Sequence, residues 1–175
     1  MDLQSLPRVK LATLPTPLDE LPRLSNELGI RVLMKRDDLT GFALGGNKAR
    51  KLEFLLADAI QQGADTLVTS GGPQSNHARV TAAAARKAGM NCKLLFFGKP
   101  PADVNGNLLL DELLGAETAY AGTDDKNQAE RLLSGVVDEL KARGRKPYLI
   151  PAGGSTALGC VSYILAVGEL LDQLK

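Results

Sequence analysis

From residue 66 onward, short apolar runs alternate with helical stripes, and glycines punctuate the changes between them. Thr66-Leu67-Val68-Thr69, Cys92 to Phe97, Glu117 to Tyr120 and Pro147 to Ile150 read as strands, the third of them edge-like. Between them lie a small-residue helix through Ala82, Ala83, Ala84 and Ala85 that ends at Gly89, and a helix over Leu108 to Leu114 stopped by Gly115. The cleanest amphipathic stripe follows, made of Ala129, Leu132, Leu133, Val136, Val137 and Leu140. Such alternation with short connections predicts an α/β fold, a mostly parallel twisted sheet with right-handed crossovers and helices on both faces.

The first third obeys the same grammar less regularly. Pro7, Pro15, Pro17 and Pro22 make the entry extended and turn-rich, and a short helix around Leu21 to Glu27 ends at Gly29. Val32, Leu33 and Met34, within Arg31 to Arg36, read as a buried strand, and Asp37 to Gly41 as a turn. Leu52, Leu55, Leu56, Ala59 and Ile60 recur at helical spacing up to Gly63. The chain closes with a helix containing Leu158, Val161, Leu165 and Leu171.

Composition narrows the function. A chain of 175 residues with 44% hydrophobic and 23% charged residues can bury a core and is not disordered; its length favours one domain. Basic and acidic residues, 21 and 20, are well mixed, and aromatics are only 4%, which gives nucleic acid no face to bind. No apolar run is long enough for a membrane span and Met1 to Lys10 has no apolar signal core, so a cytoplasmic protein is expected. Cys92 and Cys160 sit far apart in apolar segments and read as buried reduced thiols. His77 is the one histidine, so no His-rich metal site exists.

Three loops leave a strand, carry paired glycines and enter a helix: residues 41–48, 70–77 and 151–156. Open α/β sheets bind ligands beyond the carboxyl ends of their strands, so the three loops together describe one wall of a pocket. Gly45-Gly46-Asn47-Lys48 is its centre: the glycines permit close backbone approach, and Lys48 falls in a helix's first turn. There the macrodipole disfavours the ammonium form, and a desolvated lysine becomes an amine nucleophile suited to Schiff-base chemistry. The alternative is a solvated lysine at a helix start. In Gln74-Ser75-Asn76-His77, Ser75 or Asn76 is either an N-cap or a ligand contact, with Asn76 on a cofactor ring oxygen and Ser75 facing substrate. His77 is either a satisfied histidine at the pocket edge or a participant in catalysis. A phosphate loop is disfavoured, since Lys48 is displaced by one and no Ser/Thr follows it; no G-x-G-x-x-G dinucleotide motif occurs, and Ser75 has no G-x-S-x-G elbow.

Lys35-Arg36-Asp37-Asp38-Leu39-Thr40-Gly41, then Gly45-Gly46-Asn47-Lys48-Ala49-Arg50-Lys51-Leu52-Glu53, closely resembles the family of D-cysteine desulfhydrases and 1-aminocyclopropane-1-carboxylate deaminases. Gln74-Ser75-Asn76-His77, Asn105-Gly106-Asn107, Leu114-Gly115-Ala116-Glu117 and Pro151-Ala152-Gly153-Gly154-Ser155 follow in the same order as in that family. The resemblance implies a fold-type II pyridoxal-phosphate enzyme, similar to the tryptophan synthase β subunit. It implies that Lys48 holds the cofactor as a Schiff base and moves the α-proton, and that Asn76 contacts the cofactor's phenolic oxygen. Ser75 would touch the substrate carboxylate or act in proton transfer, with Gln74, Asn76 and His77 completing a small amino-acid site. The implied reaction is α,β-elimination of D-cysteine to pyruvate, ammonia and hydrogen sulfide. His77 fits the desulfhydrase pattern, where the deaminase pattern carries glutamine; Gly71-Gly72-Pro73 departs from the usual loop. Deaminase and L-cysteate sulfo-lyase activity are the alternatives.

The resemblance also implies chains that continue past Lys175, into a glycine-rich loop that grips the cofactor phosphate. On that basis residues 52–155 are expected to be the smaller domain, with residues 1–51 and 156–175 as pieces of the larger one. The chain by itself is expected to be at best a weak catalyst, and to form a homodimer or to need the missing carboxyl-terminal half as a second polypeptide. The competing expectation is a non-catalytic α/β fragment that binds cofactor, small amines or a partner chain.

Overall fold

The computed structural model describes residues 3–175; Met1 and Asp2, at the start of the predicted turn-rich entry, lie outside them. In chain order the elements are β1 (Leu18–Glu20), α1 (Pro22–Leu28), β2 (Leu33–Lys35), α2 (Lys48–Gln61), β3 (Thr66–Gly71) and α3 (Asn76–Lys87). They continue as β4 (Asn91–Phe96), α4 (Gly106–Leu113), β5 (Glu117–Tyr120), α5 (Lys126–Ala142), β6 (Pro147–Ile150) and α6 (Ala157–Gln173). Four strands form one sheet in the order β5-β4-β3-β6, every neighbouring pair parallel, with β5 at an edge as its sequence suggested.

Every residue of β3 is buried, which is why its sequence runs apolar without alternation: a central parallel strand has helices over both faces. Its side chains still point alternately. Leu67, with Leu94 and Phe96 of β4, packs against Leu52, Leu56, Val80 and Ala84 of α2 and α3. Val68 and Leu95 face the other way and meet Leu133 and Val137 of α5. Ala129, Leu133 and Val137 form the buried spine of α5, whereas Leu132, at the margin of the predicted stripe, is 43% exposed. The chain steps outward from β3 to β4 to β5, then returns to the opposite side of β3 with β6. The carboxyl ends of β3 and β6 therefore flank a topological switch point, where open α/β sheets leave a crevice. α6 lies against α2 next to that crevice.

Several expectations need correction. β1 was not foreseen; Leu18–Glu20 pairs antiparallel with β2 through Leu18↔Lys35 and Glu20↔Leu33, a pairing made by distant residues that no local pattern encodes. β2 is a half-exposed strand of that two-stranded ribbon, with Met34 42% exposed, so it is not buried. β3 runs two residues beyond Thr69, because Ser70 and Gly71 remain in register with Leu95 and Phe96. Cys92 is buried but Cys160 is exposed, on a face of α6 that also exposes Ile164, Val167 and Leu171.

Two carboxylates tie the amino-terminal arm to this frame. Glu53, buried in α2, accepts the backbone N–H groups of Leu11 and Ala12, each at 2.9 Å, and pairs with Arg8 at 3.3 Å. Glu169 of α6 receives Arg50, Lys35 and the Thr16 N–H, while the almost fully buried Arg50 also binds Asp37 at 2.8 Å. Burial by itself would raise the Glu169 carboxyl; the hydrogen bonds from Arg50, Lys35 and Thr16 outweigh it and hold the group at about 2, against 4.5 ordinarily. A depressed carboxyl contributes stability that is present above its unfolded pKa and is lost as pH falls through the folded one. The chain is therefore expected to lose on the order of 2–3 kcal/mol between pH 5 and pH 2 from this group. Urea unfolding midpoints measured across that range check it: Glu169→Gln should start less stable and flatten the acid limb.

Candidate active site

The loop before α2 owes its shape to one contact. Gly45 adopts φ 76° and ψ −173°, and a Cβ there would lie 1.8 Å from the Asp38 carbonyl oxygen. The glycine is thus required by the protein's own backbone, not only by a ligand. The loop is locked by Gly46 N–H donating to Asp37 O at 3.0 Å, and by Thr40 Oγ1 donating to Gly46 O at 3.0 Å. α2 then begins at Lys48, with Asn47 in the capping position but making no side-chain cap.

Asn47 has other work. Its Oδ1 accepts from Lys48 Nζ at 3.2 Å, and its Nδ2 donates to the Tyr163 hydroxyl of α6. One turn along the helix, Lys51 is buried with no carboxylate partner among the described residues. Its ammonium donates to Gly153 O at 3.1 Å and Ser155 Oγ at 3.0 Å, and lies 5.5 Å from the centre of the Tyr163 ring. The half-buried Lys48 amine is pushed below the usual lysine range, first by burial and then by the charge on Lys51. The sequence argument supplied the helix start; the second cation is what it missed. The signal was available, since residues three apart share a helix face.

The second loop leaves β3 and enters α3. Ser75 is the N-cap of α3, its Oγ accepting from Ala78 N–H at 3.2 Å, so the capping alternative is realised. As the acceptor it keeps its hydroxyl proton to donate elsewhere. Gln74 is engaged at both ends of its amide: Oε1 accepts from Asn107 N–H at 2.9 Å, and Nε2 donates to Asn105 O at 3.1 Å. Gly106, at φ 54°, passes so close that a Cβ would sit 2.4 Å from Gln74 Oε1. The Asn105-Gly106-Asn107 turn thus clamps the loop. Asn76 is exposed, and its Oδ1 accepts from Asn107 Nδ2 at 3.0 Å and from Arg79 Nη2 at 3.4 Å. The same Arg79 nitrogen donates to Gly45 O at 3.1 Å, linking the lysine loop to α3.

His77 lies behind this wall. It is 3% exposed, with Nε2 3.0 Å from Thr69 Oγ1. Thr69 donates its own hydroxyl proton to Ile150 O at 2.7 Å, so it must accept from histidine, and the imidazole is the Nε2–H tautomer. Burial, then the charges of Lys48 and Lys51, lowers His77 to about 4. It is neutral at ordinary pH. A buried carboxyl completes the surroundings: Asp111 of α4 is raised to about 7 by burial, against the opposing pull of Arg79.

Lys48, Lys51 and His77 are therefore neighbours, and Arg79 joins the lysine loop to Asn76. The third predicted loop enters through Gly153 and Ser155, which hold Lys51. Sequence reasoning did not find Arg79, Asn47 or Tyr163 as site residues; the first is one helical turn from Asn76, and Tyr163 reaches the site only through tertiary packing. The donor set suits an anionic aldehyde, because it offers a primary amine pushed below the usual lysine range beside a buried cation with no carboxylate partner among the described residues.

Comparison with known proteins agrees with that chemistry. Residues 9–175 match the family described as pyridoxal-phosphate-dependent enzymes. The chain is 48% identical over 173 residues to a putative 1-aminocyclopropane-1-carboxylate deaminase of Pyrococcus abyssi, covering 99% of this chain and 52% of that protein. It is 46% identical over 180 residues to a D-cysteine desulfhydrase of Salmonella typhi, covering 99% of this chain and 54% of that one. The crystal structure of an ACC deaminase homologue superposes with a TM-score of 0.92 at 46% identity, over 98% of this chain and 52% of the other. The chain thus spans about half the length of the curated relatives it matches. Among the described residues, no helix is long and apolar enough to cross a membrane. With its parallel four-stranded sheet, its lysine at a helix start and its match over nearly the whole length, this chain belongs to the pyridoxal-phosphate-dependent enzymes, in the α/β architecture of fold type II.

Proposed function

We propose that this chain is the lysine-bearing part of an enzyme that carries out α,β-elimination on D-cysteine, releasing pyruvate, ammonia and hydrogen sulfide. The observation that carries the reading is the Lys48 amine, half-buried at the start of α2, with burial and then the charge on Lys51 pushing it below the usual lysine range. Bound pyridoxal 5'-phosphate supplies an aldehyde for that amine and an electron-withdrawing ring that accepts negative charge from the substrate's Cα.

The chain's own residues then divide the work. Lys48 would hold the cofactor through Nζ, and that amine would take the Cα proton of the substrate. Asn47 Oδ1, 3.2 Å away, steadies the free amine. Asn76 hydrogen-bonds the cofactor's ring oxygen, and Lys51 supplies positive charge toward an anionic ligand. Ser75 donates its hydroxyl proton to the substrate carboxylate. Gln74 and neutral His77 act from behind, by holding the loop and closing the wall. Within this reading residues 52–155, which contain the whole four-stranded sheet, are the smaller domain; residues 1–51 and 156–175 belong to the larger one. The enzyme works on small amino acids in the cytoplasm as a homodimer. The histidine at position 77 favours cysteine over the cyclopropane amino acid.

Keto-acid release tests the substrate. D-cysteine, L-cysteine and L-cysteate yield pyruvate, and 1-aminocyclopropane-1-carboxylate yields 2-oxobutanoate. D-cysteine is expected to give the fastest release. Turnover of the cyclopropane substrate with none of D-cysteine would overturn the choice, and no release from any of the four, with pyridoxal phosphate bound, would favour a binding fragment.

A further inference from the structure

An asparagine side chain can present either its oxygen or its NH2 to a ligand, and the two ends are chemically opposite. At Asn76 the surroundings decide which. The Gln74 backbone carbonyl can only accept, so the Asn107 amide must turn its NH2 toward it, at 2.8 Å. The same NH2 lies 3.0 Å from Asn76, and the group it meets there must be the carbonyl oxygen. Arg79 is a donor only, and it reaches the same oxygen at 3.4 Å. Two independent donors therefore select one orientation. Asn76 Nδ2 is turned away from both and meets no acceptor among the described residues, on a side chain that is exposed.

Asn107 is itself held. Its backbone N–H donates to Gln74 Oε1, which obliges Gln74 Nε2 to face the Asn105 carbonyl, as it does. Arg79 is nearly buried, and its Nη2 also holds Gly45 O at 3.1 Å. The chain of donors and acceptors runs without contradiction from α4 to the loop before α2.

We propose that Arg79 and Asn107 are positioning residues which fix the Asn76 carboxamide so that its NH2, not its oxygen, is presented to the cofactor's ring oxygen. This rests on the cofactor role given to Asn76 above. A donor at that oxygen stabilises negative charge on it and loosens the proton shared with the Lys48 nitrogen. Loss of the donor raises the pH at which that proton leaves.

The test is a pH titration of the visible absorbance of pyridoxal phosphate bound to the full chain. Asn76→Ala, Asn107→Ala and Arg79→Met are expected to raise the midpoint, each by on the order of one pH unit. Arg79→Lys keeps a charged donor and is expected to stay near the unsubstituted chain. Asn107→Ala, at a partly exposed site, guards against a folding defect from the buried arginine. A shift with Asn76→Ala but with neither Asn107→Ala nor Arg79→Met would overturn the proposal while leaving the cofactor role of Asn76 intact. No shift with Asn76→Ala removes that role and the proposal with it. Neutron diffraction from the deuterated, cofactor-free chain reads the amide directly: deuterons on the atom facing away from Arg79 support the orientation, and deuterons on the facing atom refute it.

Discussion

Gly45→Ala is expected to destabilise the chain by at least about 3 kcal/mol and to abolish the lysine site along with it. Two costs add. The backbone conformation, φ 76° and ψ −173°, belongs to a region that essentially only glycine occupies, at about 1–3 kcal/mol for any other residue. The new methyl would also stand 1.8 Å from the Asp38 carbonyl oxygen, a backbone atom that cannot swing aside as a flexible side chain would. Relief requires the 37–46 loop to open, which breaks the Gly46–Asp37 and Thr40–Gly46 hydrogen bonds and moves Lys48 with them. Urea unfolding and cofactor titration read both effects on the same sample. Gly135→Ala, on the exposed side of α5 where a Cβ meets nothing within 4 Å, is the control and is expected to gain about 0.5–1 kcal/mol. A Gly45→Ala chain as stable as its parent would show that the loop is not held as described.

Lys48→Ala is expected to lower turnover by at least on the order of a thousandfold and to leave stability almost unchanged. In the proposed function this amine is the group that bonds the cofactor and carries the proton, and Lys51, already spent on Gly153 and Ser155, cannot replace it. A subtler variant isolates the electrostatics. Lys51→Gln removes the charge that helps depress Lys48, so the pH midpoint for modification of the Lys48 amine should rise toward the ordinary 10.5. Burial, the larger cause, remains in that variant, and part of the depression should survive it. Amine labelling across pH, followed by mass spectrometry of the Lys48 peptide, makes the comparison. An unmoved midpoint would sever Lys51 from the site.

The pattern of residues was enough to place every strand of the parallel sheet and the helices between them. The reason is physical: β3 is buried on both faces and α5 on one, and burial writes period and length directly into the chain. Lys48 at a helix start followed from short-range chemistry as well, and of the alternatives left open for Ser75 and Asn76 the structure realises Ser75 as the N-cap. What local reasoning could not supply was any contact between residues far apart. β1 exists because Leu18–Glu20 found β2, and Gly45 is glycine because Asp38 folds back onto it. His77 gives the sharpest instance. Its sequence position gave no sign that it would be buried behind Thr69 and beside two lysines, which keeps the imidazole neutral.

Sequence alone thus determined the fold class, the loops at the ends of β3 and β6 and the lysine at a helix start, since each depends on periodicity or on neighbours within one turn; the loop at 41–48 follows β2 of the antiparallel ribbon instead of a strand of the parallel sheet. Tertiary structure alone decided that Gly153 and Ser155 would hold Lys51, that Tyr163 would reach Asn47, and that Arg79 would face Gly45 as well as Asn76. Those are matters of distance across the fold, and electrostatic and hydrogen-bond energies depend on that distance rather than on separation along the chain.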